Sequence, residues 1–271
     1  MMAKLSSIVA FRLTTARPAR LASFYQELGF SVGDPEPIGP NELALLGLAC
    51  HGVRVPLHLG EQRVDLDTFD AAGRDYPLDC TAADLCFQHL ALVTDDAAAA
   101  WKHVLAIGGR SISMEGPVRL PPATGVTAAV KFRDPEGHPL ELLQFPPGLA
   151  GRWRGKGLLG IDHSAISVAD ADASRRFYET LGLSAHGPTL NQGPTQTALD
   201  GLPGVEVDVV PMLPRQPTPH LELLGYRRPA GRPAGTMEVT DVAATRVVWA
   251  ADRDQLIRDP DGHLHLLRRE G

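Results

Sequence analysis

Two pairs of residues in this sequence have the types and setting to hold a metal ion: His89 with Glu141, and His163 with Glu222. Each histidine lies in an apolar run that reads as a strand, Phe87-Gln88-His89-Leu90-Ala91-Leu92-Val93 and His163-Ser164-Ala165-Ile166-Ser167-Val168. Each glutamate lies in a nearly identical run, Leu140-Glu141-Leu142-Leu143-Gln144-Phe145 and Leu221-Glu222-Leu223-Leu224-Gly225-Tyr226. Side chains alternate between the faces of a strand, so each glutamate points away from its leucine neighbours, and His89 away from Gln88 and Leu90. Taken singly, a strand histidine is usually a hydrogen-bonded, half-buried residue and a strand glutamate usually faces solvent. Recurrence of the pair at matching positions argues for more. Imidazole nitrogen and carboxylate oxygen suit a divalent ion of Ni, Co, Mn, Fe(II) or Zn. Two histidines and two glutamates around such an ion leave one or two octahedral positions open for water or substrate, and these four are the expected ligands.

The elements that must position them repeat along the chain. At a constant offset, Ala10–Arg17 falls on His163–Asp170, and Phe24-Tyr25-Gln26-Glu27-Leu28-Gly29-Phe30 falls on Phe177-Tyr178-Glu179-Thr180-Leu181-Gly182-Leu183. Both stretches read as a strand followed by a helix closed by a glycine, Gly29 or Gly182, the residue that takes a left-handed cap at little cost. A further copy begins at Phe87–Val93. Its helix, Ala97–Leu105, follows Asp95-Asp96, acidic residues that complement a helix N-terminus. That copy continues through Ala128–Arg133, the turn Asp134-Pro135-Glu136-Gly137-His138 and Leu140–Phe145. A shortened copy closes the chain, with Thr245–Trp249 as its first strand and Asp259-Pro260-Asp261-Gly262-His263 repeating the turn. Pro146–Gly160 and Arg227–Gly235 read as linkers. The chain therefore divides into four modules in two halves: residues 1–148, a linker over 149–157, and residues 158–271.

At 271 residues with 44% hydrophobic content, the chain can bury a substantial core. A net charge of −6 with scattered arginines gives no long-range attraction for nucleic acid or an anionic membrane. No apolar stretch approaches a membrane span, and the N-terminal residues lack a secretory signature. Cys50, Cys80 and Cys86 are an odd number without C-x-x-C spacing, which indicates neither a disulfide framework nor a zinc knuckle. Reduced thiols in a cytoplasmic protein are the expectation, as a monomer or homodimer acting on a small molecule.

The Phe-Tyr-x-x-Leu-Gly helix ends (Phe24–Gly29 and Phe177–Gly182), the Asp134–His138 turn and the Leu-Glu-Leu-Leu strands resemble modules of the vicinal oxygen chelate superfamily. That superfamily includes glyoxalase I, extradiol dioxygenases, methylmalonyl-CoA epimerase and fosfomycin- and bleomycin-resistance proteins. The resemblance covers essentially the whole chain. It implies an α+β fold: four βαβββ modules in tandem, the fourth truncated, forming two cupped mixed sheets with helices outside and ligands on the first and last strands of each module. It does not specify a reaction, because the fold hosts several.

Module one offers Ala10 in place of the histidine and Asp65 in place of the glutamate; module four offers Arg246 and Leu266. If consecutive modules paired, each cup would hold only one histidine and one glutamate. If modules two and three pair, one cup holds His89, Glu141, His163 and Glu222, and the cup of modules one and four holds no plausible set. The second arrangement resembles tandem glyoxalase I enzymes and is the one expected here. The resemblance then implies glyoxalase I-like lyase or isomerase chemistry, with Glu141 or Glu222 leaving the metal to act as general base. No glutathione-binding pattern is recognisable. An Fe(II) extradiol-type ring-cleaving dioxygenase is the enzymatic alternative; a binding or resistance protein without turnover is the alternative of another class. Asn191, Gln192 and Gln196, in a polar run expected to form a loop, are the candidate substrate-binding residues. His138 and His263 are expected to serve their turns structurally.

Overall fold

The computed structural model of the chain describes residues 3–147 and 153–270. Residue 148, residues 149–152 of the expected linker, and the terminal residues 1, 2 and 271 lie outside the described residues. Module one contains β1 (Leu5–Thr14), α1 (Pro18–Leu28), β2 (Ser31–Val32), β3 (Glu36–Pro37), α2 (Pro40–Leu45), β4 (Gly52–Leu59) and β5 (Gln62–Phe69). Module two contains β6 (Gln88–Thr94), α3 (Ala97–Ala106), β7 (Arg110–Ser111), β8 (Val118–Arg119), β9 (Ala128–Arg133) and β10 (Pro139–Gln144). Module three contains β11 (Leu158–Val168), α4 (Ala171–Thr180), β12 (Ser184–Ala185), β13 (Thr189–Gln192), α5 (Gly193–Asp200), β14 (Glu206–Leu213) and β15 (His220–Arg228). Module four contains only β16 (Arg246–Ala251), β17 (Gln255–Arg258) and β18 (Leu264–Arg269), with no helix between its strands.

Two mixed sheets result. One runs β17-β18-β16-β1-β5-β4-β2 and joins modules four and one; the other runs β12-β14-β15-β11-β6-β10-β9-β7 and joins modules three and two. In every module the first strand lies parallel to the last, β1 to β5, β6 to β10, β11 to β15 and β16 to β18. The modules meet through antiparallel first strands, β1 with β16 and β6 with β11. Both seams carry a bulge at the same repeat position: Ile8 to Ala10 spans one step of β16, and Ile161 to His163 spans one step of β6. A bulge adds a residue on one strand and re-aims the side chains beside it.

The three long helices form for readable reasons. In α1, Leu21, Phe24, Tyr25 and Leu28 recur at helical spacing and are all buried; each large apolar side chain so buried contributes about 1.5–3 kcal/mol. Asp96 caps α3 by accepting from the amides of Ala98 and Ala99, both at 3.0 Å. Asp170 caps α4 through Ala173 N at 2.9 Å. Gly29, at φ 119°, and Gly182, at φ 97°, supply the left-handed residues after α1 and α4. The apolar faces of α1, α3 and α4 pack with both sheets in one core, on the faces turned away from the cups.

The repeated motifs also explain one another. Tyr25 Oη donates to Asp134 at 3.4 Å and Tyr178 Oη to Asp259 at 2.9 Å, so the Phe-Tyr helix of each half holds the Asp-Pro turn of the following module. The turn histidines reach back: His138 Nε2 lies 3.0 Å from the carbonyl of Thr14, and His263 Nε2 lies 2.9 Å from that of Ser167. These contacts tie module one to two and three to four, while the sheets tie one to four and two to three. The short helices α2 and α5 were not expected from the sequence, and they lie on the cup faces. The polar run from Asn191 is β13 and the start of α5 rather than a loop; its proline sits within the first two helical positions, where a missing amide costs nothing.

Candidate metal centre

Strand register brings both histidine–glutamate pairs to one place. Glu141 lies opposite Ala91, and Ala91 lies opposite His163. Glu222 lies opposite Ala165, and Ala165 lies opposite His89. The ligands thus stand on four adjacent strands with two alanines between them, and the small alanines leave space above the sheet. His89 Nε2 is 3.1 Å from Glu141 Oε2. His163 Nε2 is 3.8 Å from Glu141 Oε2 and 3.5 Å from Glu222 Oε2. The two imidazole rings are 5.6 Å apart, centre to centre.

Two neighbours escaped the sequence reading. His220 precedes Glu222 by two residues, hence shares its face, and its Nε2 lies 3.4 Å from Glu222 Oε1. That spacing was available as a signal. Asp162 was not, because adjacent strand residues normally face opposite ways. The bulge at the seam turns it, and Asp162 Oδ2 lies 3.0 Å from His163 Nδ1. A carboxylate on the second nitrogen of a histidine fixes its tautomer and orientation, as around ligating histidines generally. His89 Nδ1 is buried without a hydrogen-bond partner, so it has no such support.

The charges are coupled. Burial opposes protonation of His163, but Glu222, Asp162 and Glu141 outweigh it and raise the imidazole to about 9. Glu222 shows the same pair from the other side: burial pushes it up, while His163 and His220 prevail and hold it at about 2. Glu141 is also lowered, since Lys131, His89 and His163 outweigh its burial. At His89 burial dominates, and its pKa falls below the ordinary histidine value.

His89, Glu141 and His163 fit a divalent cation, and Glu222 adjoins them from the His163 side. Ligands about 2.1 Å from one ion stand about 3.0 Å apart in octahedral geometry and about 3.4 Å apart in tetrahedral geometry, and the separations of 3.1, 3.5 and 3.8 Å fall around those values. His89, Glu141 and His163 also form a mutually close donor trio. Charge agrees with geometry. Glu141, Glu222, Asp162 and Asp200 bring four carboxylates into or beside the cup, and Lys131 is the cation placed among them by the described contacts. A cation at the centre would stand where the His163 proton now helps to balance them.

Residues 7–142 match the profile of the Glyoxalase/Bleomycin resistance protein/Dioxygenase superfamily. The chain belongs to this superfamily. Among solved structures, glyoxalase I from Zea mays aligns with a TM-score of 0.62 at 16% identity, over 97% of this chain and 92% of that one. Its E144Q variant aligns with a TM-score of 0.59 at 16% identity, over 97% and 93%. A candidate dioxygenase from Bacillus subtilis subsp. subtilis aligns at 0.57 and 13% identity, over 97% and 85%. At such identities the likeness is one of fold. No curated protein matches the chain in sequence.

In this superfamily member the sister cup carries other residue types at the same four positions. Register places Arg12 opposite both Asp65 and Arg246, and Val248 opposite Ala10 and Leu266. Ala10, Asp65, Arg246 and Leu266 therefore occupy the places of His163, Glu222, His89 and Glu141. The cup is filled instead by Arg12, Arg54 and Arg246 against Glu42, Asp65 and Asp67. Arg54 holds Asp67 at 2.7 Å and Glu42 at 2.7 Å, and Arg246 holds Asp67 at 3.0 Å. Arg12 pairs with Glu42 and, at 3.3 Å, with Asp65. Burial, with Arg54 nearby, pushes Arg12 down to about 9 against the pull of Asp67 and Asp65.

The expected substrate-binding residues are dispersed. Asn191 is half-buried on the edge strand β13 and accepts from Thr189 Oγ1 at 3.1 Å, and Gln192 is exposed. Gln196 alone points inward, donating to Asp200 Oδ2 at 2.8 Å. A cleft of about 520 Å³ at the start of α4, lined by Asp170, Asp172, Asp208 and Arg227, includes none of the four expected ligands.

Proposed function

We propose that the chain is a metal-dependent vicinal oxygen chelate enzyme with glyoxalase I-like lyase or isomerase chemistry on a small oxygenated molecule, using His89, Glu141, His163 and Glu222 as ligands. The observation that carries this is the convergence of both histidine–glutamate pairs in one buried, carboxylate-rich cup. A bound divalent ion would supply Lewis acidity toward vicinal oxygens of the substrate. The chain's own residues divide the remaining work. Glu141 is pinned between His89 and His163 and serves as anchor. Glu222 is the most exposed of the four side chains, at 18%, and is suited to move and take a proton from carbon beside a carbonyl. With His163 neutral, as a ligand must be, a bound cation would take over the charge facing Glu222, so the carboxylate would serve as base only once it had left the ion. His220 then steadies the carboxylate from its far side.

A second reading rests on the closeness of His89, Glu141 and His163. Without Glu222, they are a two-histidine, one-carboxylate set of the kind that serves Fe(II) oxygenases. One experiment addresses the centre itself: metal analysis of protein purified without chelators and offered Ni, Mn, Fe(II) or Zn. Wild type should hold about one equivalent per chain, and the His89→Ala/His163→Ala double variant less than about a tenth of that. Wild type that retains no metal would overturn both readings. A methylglyoxal–glutathione assay and an anaerobic Fe(II)–catechol assay then separate lyase from dioxygenase.

A further inference from the structure

Beside the four ligands the cup holds a second polar cluster that they do not use. Lys131 stands directly opposite Glu141 in the β9–β10 register, and its side chain is buried. Its Nζ donates to Asp200 Oδ1 at 2.6 Å. The other oxygen of Asp200 accepts from Tyr226 Oη at 3.0 Å and Gln196 Nε2 at 2.8 Å. Tyr226 lies four residues beyond Glu222 on β15 and shares its face. An ammonium, a phenol and an amide thus converge on one carboxylate at the wall of the metal cup.

That carboxylate is carried by the element that closes the cup. Asp200 is the last residue of α5, and the preceding Leu199 packs on Ala91, Ala129 and Leu143. Ala91 is the floor residue between Glu141 and His163. Although α5 belongs to module three, it docks on module two: Ser113 Oγ donates to Leu199 O at 2.7 Å, and Met114 N donates to Ala198 O at 2.9 Å. His89, Glu141 and His163 are 2–5% exposed, and Leu199 of α5 packs over the floor residue between two of them. An apolar lid would close as well, and a buried lysine–carboxylate pair carries a desolvation cost that apolar packing avoids. Such a pair in a lid has one property that apolar packing lacks: another carboxylate can take its place.

We propose that Lys131 and Tyr226 form the recognition site for a substrate carboxylate, that the substrate class is a small anion bearing vicinal oxygens at one end and a carboxylate at the other, and that Asp200 fills the site when substrate is absent. This rests on the metal-centre reading. The probes are 2-oxoglutarate, which has both features, and 2-oxobutyrate, which lacks the distal carboxylate. Binding is measured by calorimetry on Ni(II)-loaded protein, with Ni content determined for every sample. Wild type should favour 2-oxoglutarate by about tenfold or more, the scale of one charge-assisted contact. Asp200→Asn should strengthen 2-oxoglutarate binding by removing the internal competitor. Lys131→Met should abolish the preference while Ni content stays at wild type. Because that variant leaves Asp200 without its cation, Lys131→Met/Asp200→Leu provides a form in which neither charge remains, and it too should show no preference. Protein that holds Ni but does not discriminate between the probes, or discriminates equally without Lys131, overturns this inference and leaves the metal centre standing. Protein that holds no Ni overturns both, and the metal analysis identifies that case.

Discussion

The two cups of this molecule share a backbone and differ in their charge. Both are built from antiparallel first strands with a bulge at the same repeat position, flanked by parallel last strands. Both are covered by a short helix whose leucine rests on the floor, Leu45 of α2 on Ala10, Val248 and Leu266, and Leu199 of α5 on Ala91, Ala129 and Leu143. In the cup of modules one and four, three buried arginines meet three carboxylates, and Arg63 and Arg268 reach two of the same carboxylates. In the cup of modules two and three, four carboxylates meet one lysine, and a protonated His163 offsets only part of the difference. The cup without the histidine–glutamate pairs sets arginines against its carboxylates, and the cup that carries the pairs is left short of positive charge. The first arrangement meets its charges within the chain; on the proposed function, the second would be completed by a bound cation.

The widest separation between the cups should appear on removing one charge from each. Arg246 is fully buried; it bonds Asp67 at 3.0 Å, Thr14 Oγ1 at 2.9 Å and the carbonyl of Val239 at 2.9 Å. Arg246→Leu strips these acceptors of their donor and should cost about 3–5 kcal/mol of unfolding free energy, with metal content unchanged. Glu222→Gln in metal-free protein removes a carboxylate that His163 and His220 hold at about 2. It should cost less than Arg246→Leu, about 1–3 kcal/mol, because the side chain is 18% exposed and other carboxylates still face His163. Urea unfolding of both variants decides the matter. Equal losses would mean that the second cup is also self-sufficient and would break the contrast.

Much of this was legible because repetition amplifies weak signals. Phe24-Tyr25 and Phe177-Tyr178 mark the modules, and the two Leu-Glu-Leu-Leu strands with their histidines mark which modules carry the histidine–glutamate pairs. Strand register reproduces the assignment of Ala10, Asp65, Arg246 and Leu266 to the matching positions. What stayed hidden depends on departures from regular geometry or on contacts between distant modules. Asp162 reaches His163 only because a bulge cancels the alternation of a strand. Lys131, Asp200 and Tyr226 come from three separate strings, joined by a helix that crosses from module three to module two. Asn191 and Gln192 stand out in the sequence by polarity alone, which says nothing of their place on an edge strand.

A smaller effect separates the histidines of the two sheets. His163 is raised, whereas His265 on β18 is depressed to about 4, first by burial and without enough compensation from Asp259. Its surroundings fix the neutral form: Trp249 Nε1 donates to His265 Nδ1 at 3.0 Å, and Tyr178 Oη lies 2.8 Å from Nε2. A proton on Nδ1 would face the indole N–H. The unfolded chain binds that proton near pH 6.5 and the folded chain only near pH 4, so stability is fully present above about 6.5 and is lost as pH falls toward 4. The contribution is on the order of 3 kcal/mol at most. Comparing urea unfolding at pH 7 and pH 4.5, His265→Gln should lose less stability than wild type on acidification. An identical loss would show that His265 is protonated in the fold.

The finest distinction lies in the helices behind the cups. Modules two and three, which carry the histidine–glutamate pairs, begin their helices with an aspartate cap; α1 of module one begins at Arg17 without a side-chain cap. Asp96 accepts two amides and Asp170 one. Replacing either with alanine should cost about 1 kcal/mol, the usual worth of a cap, with Asp96→Ala the more costly because it frees two donors. Arg17→Ala should fall near zero by the same measure. These caps sit on the sides of the sheets turned away from the cups, so neither aspartate variant should change metal stoichiometry. A cap variant that lost metal would couple helix position to the ligands, and the cup that carries the pairs would then depend on its scaffold more closely than the sister cup does.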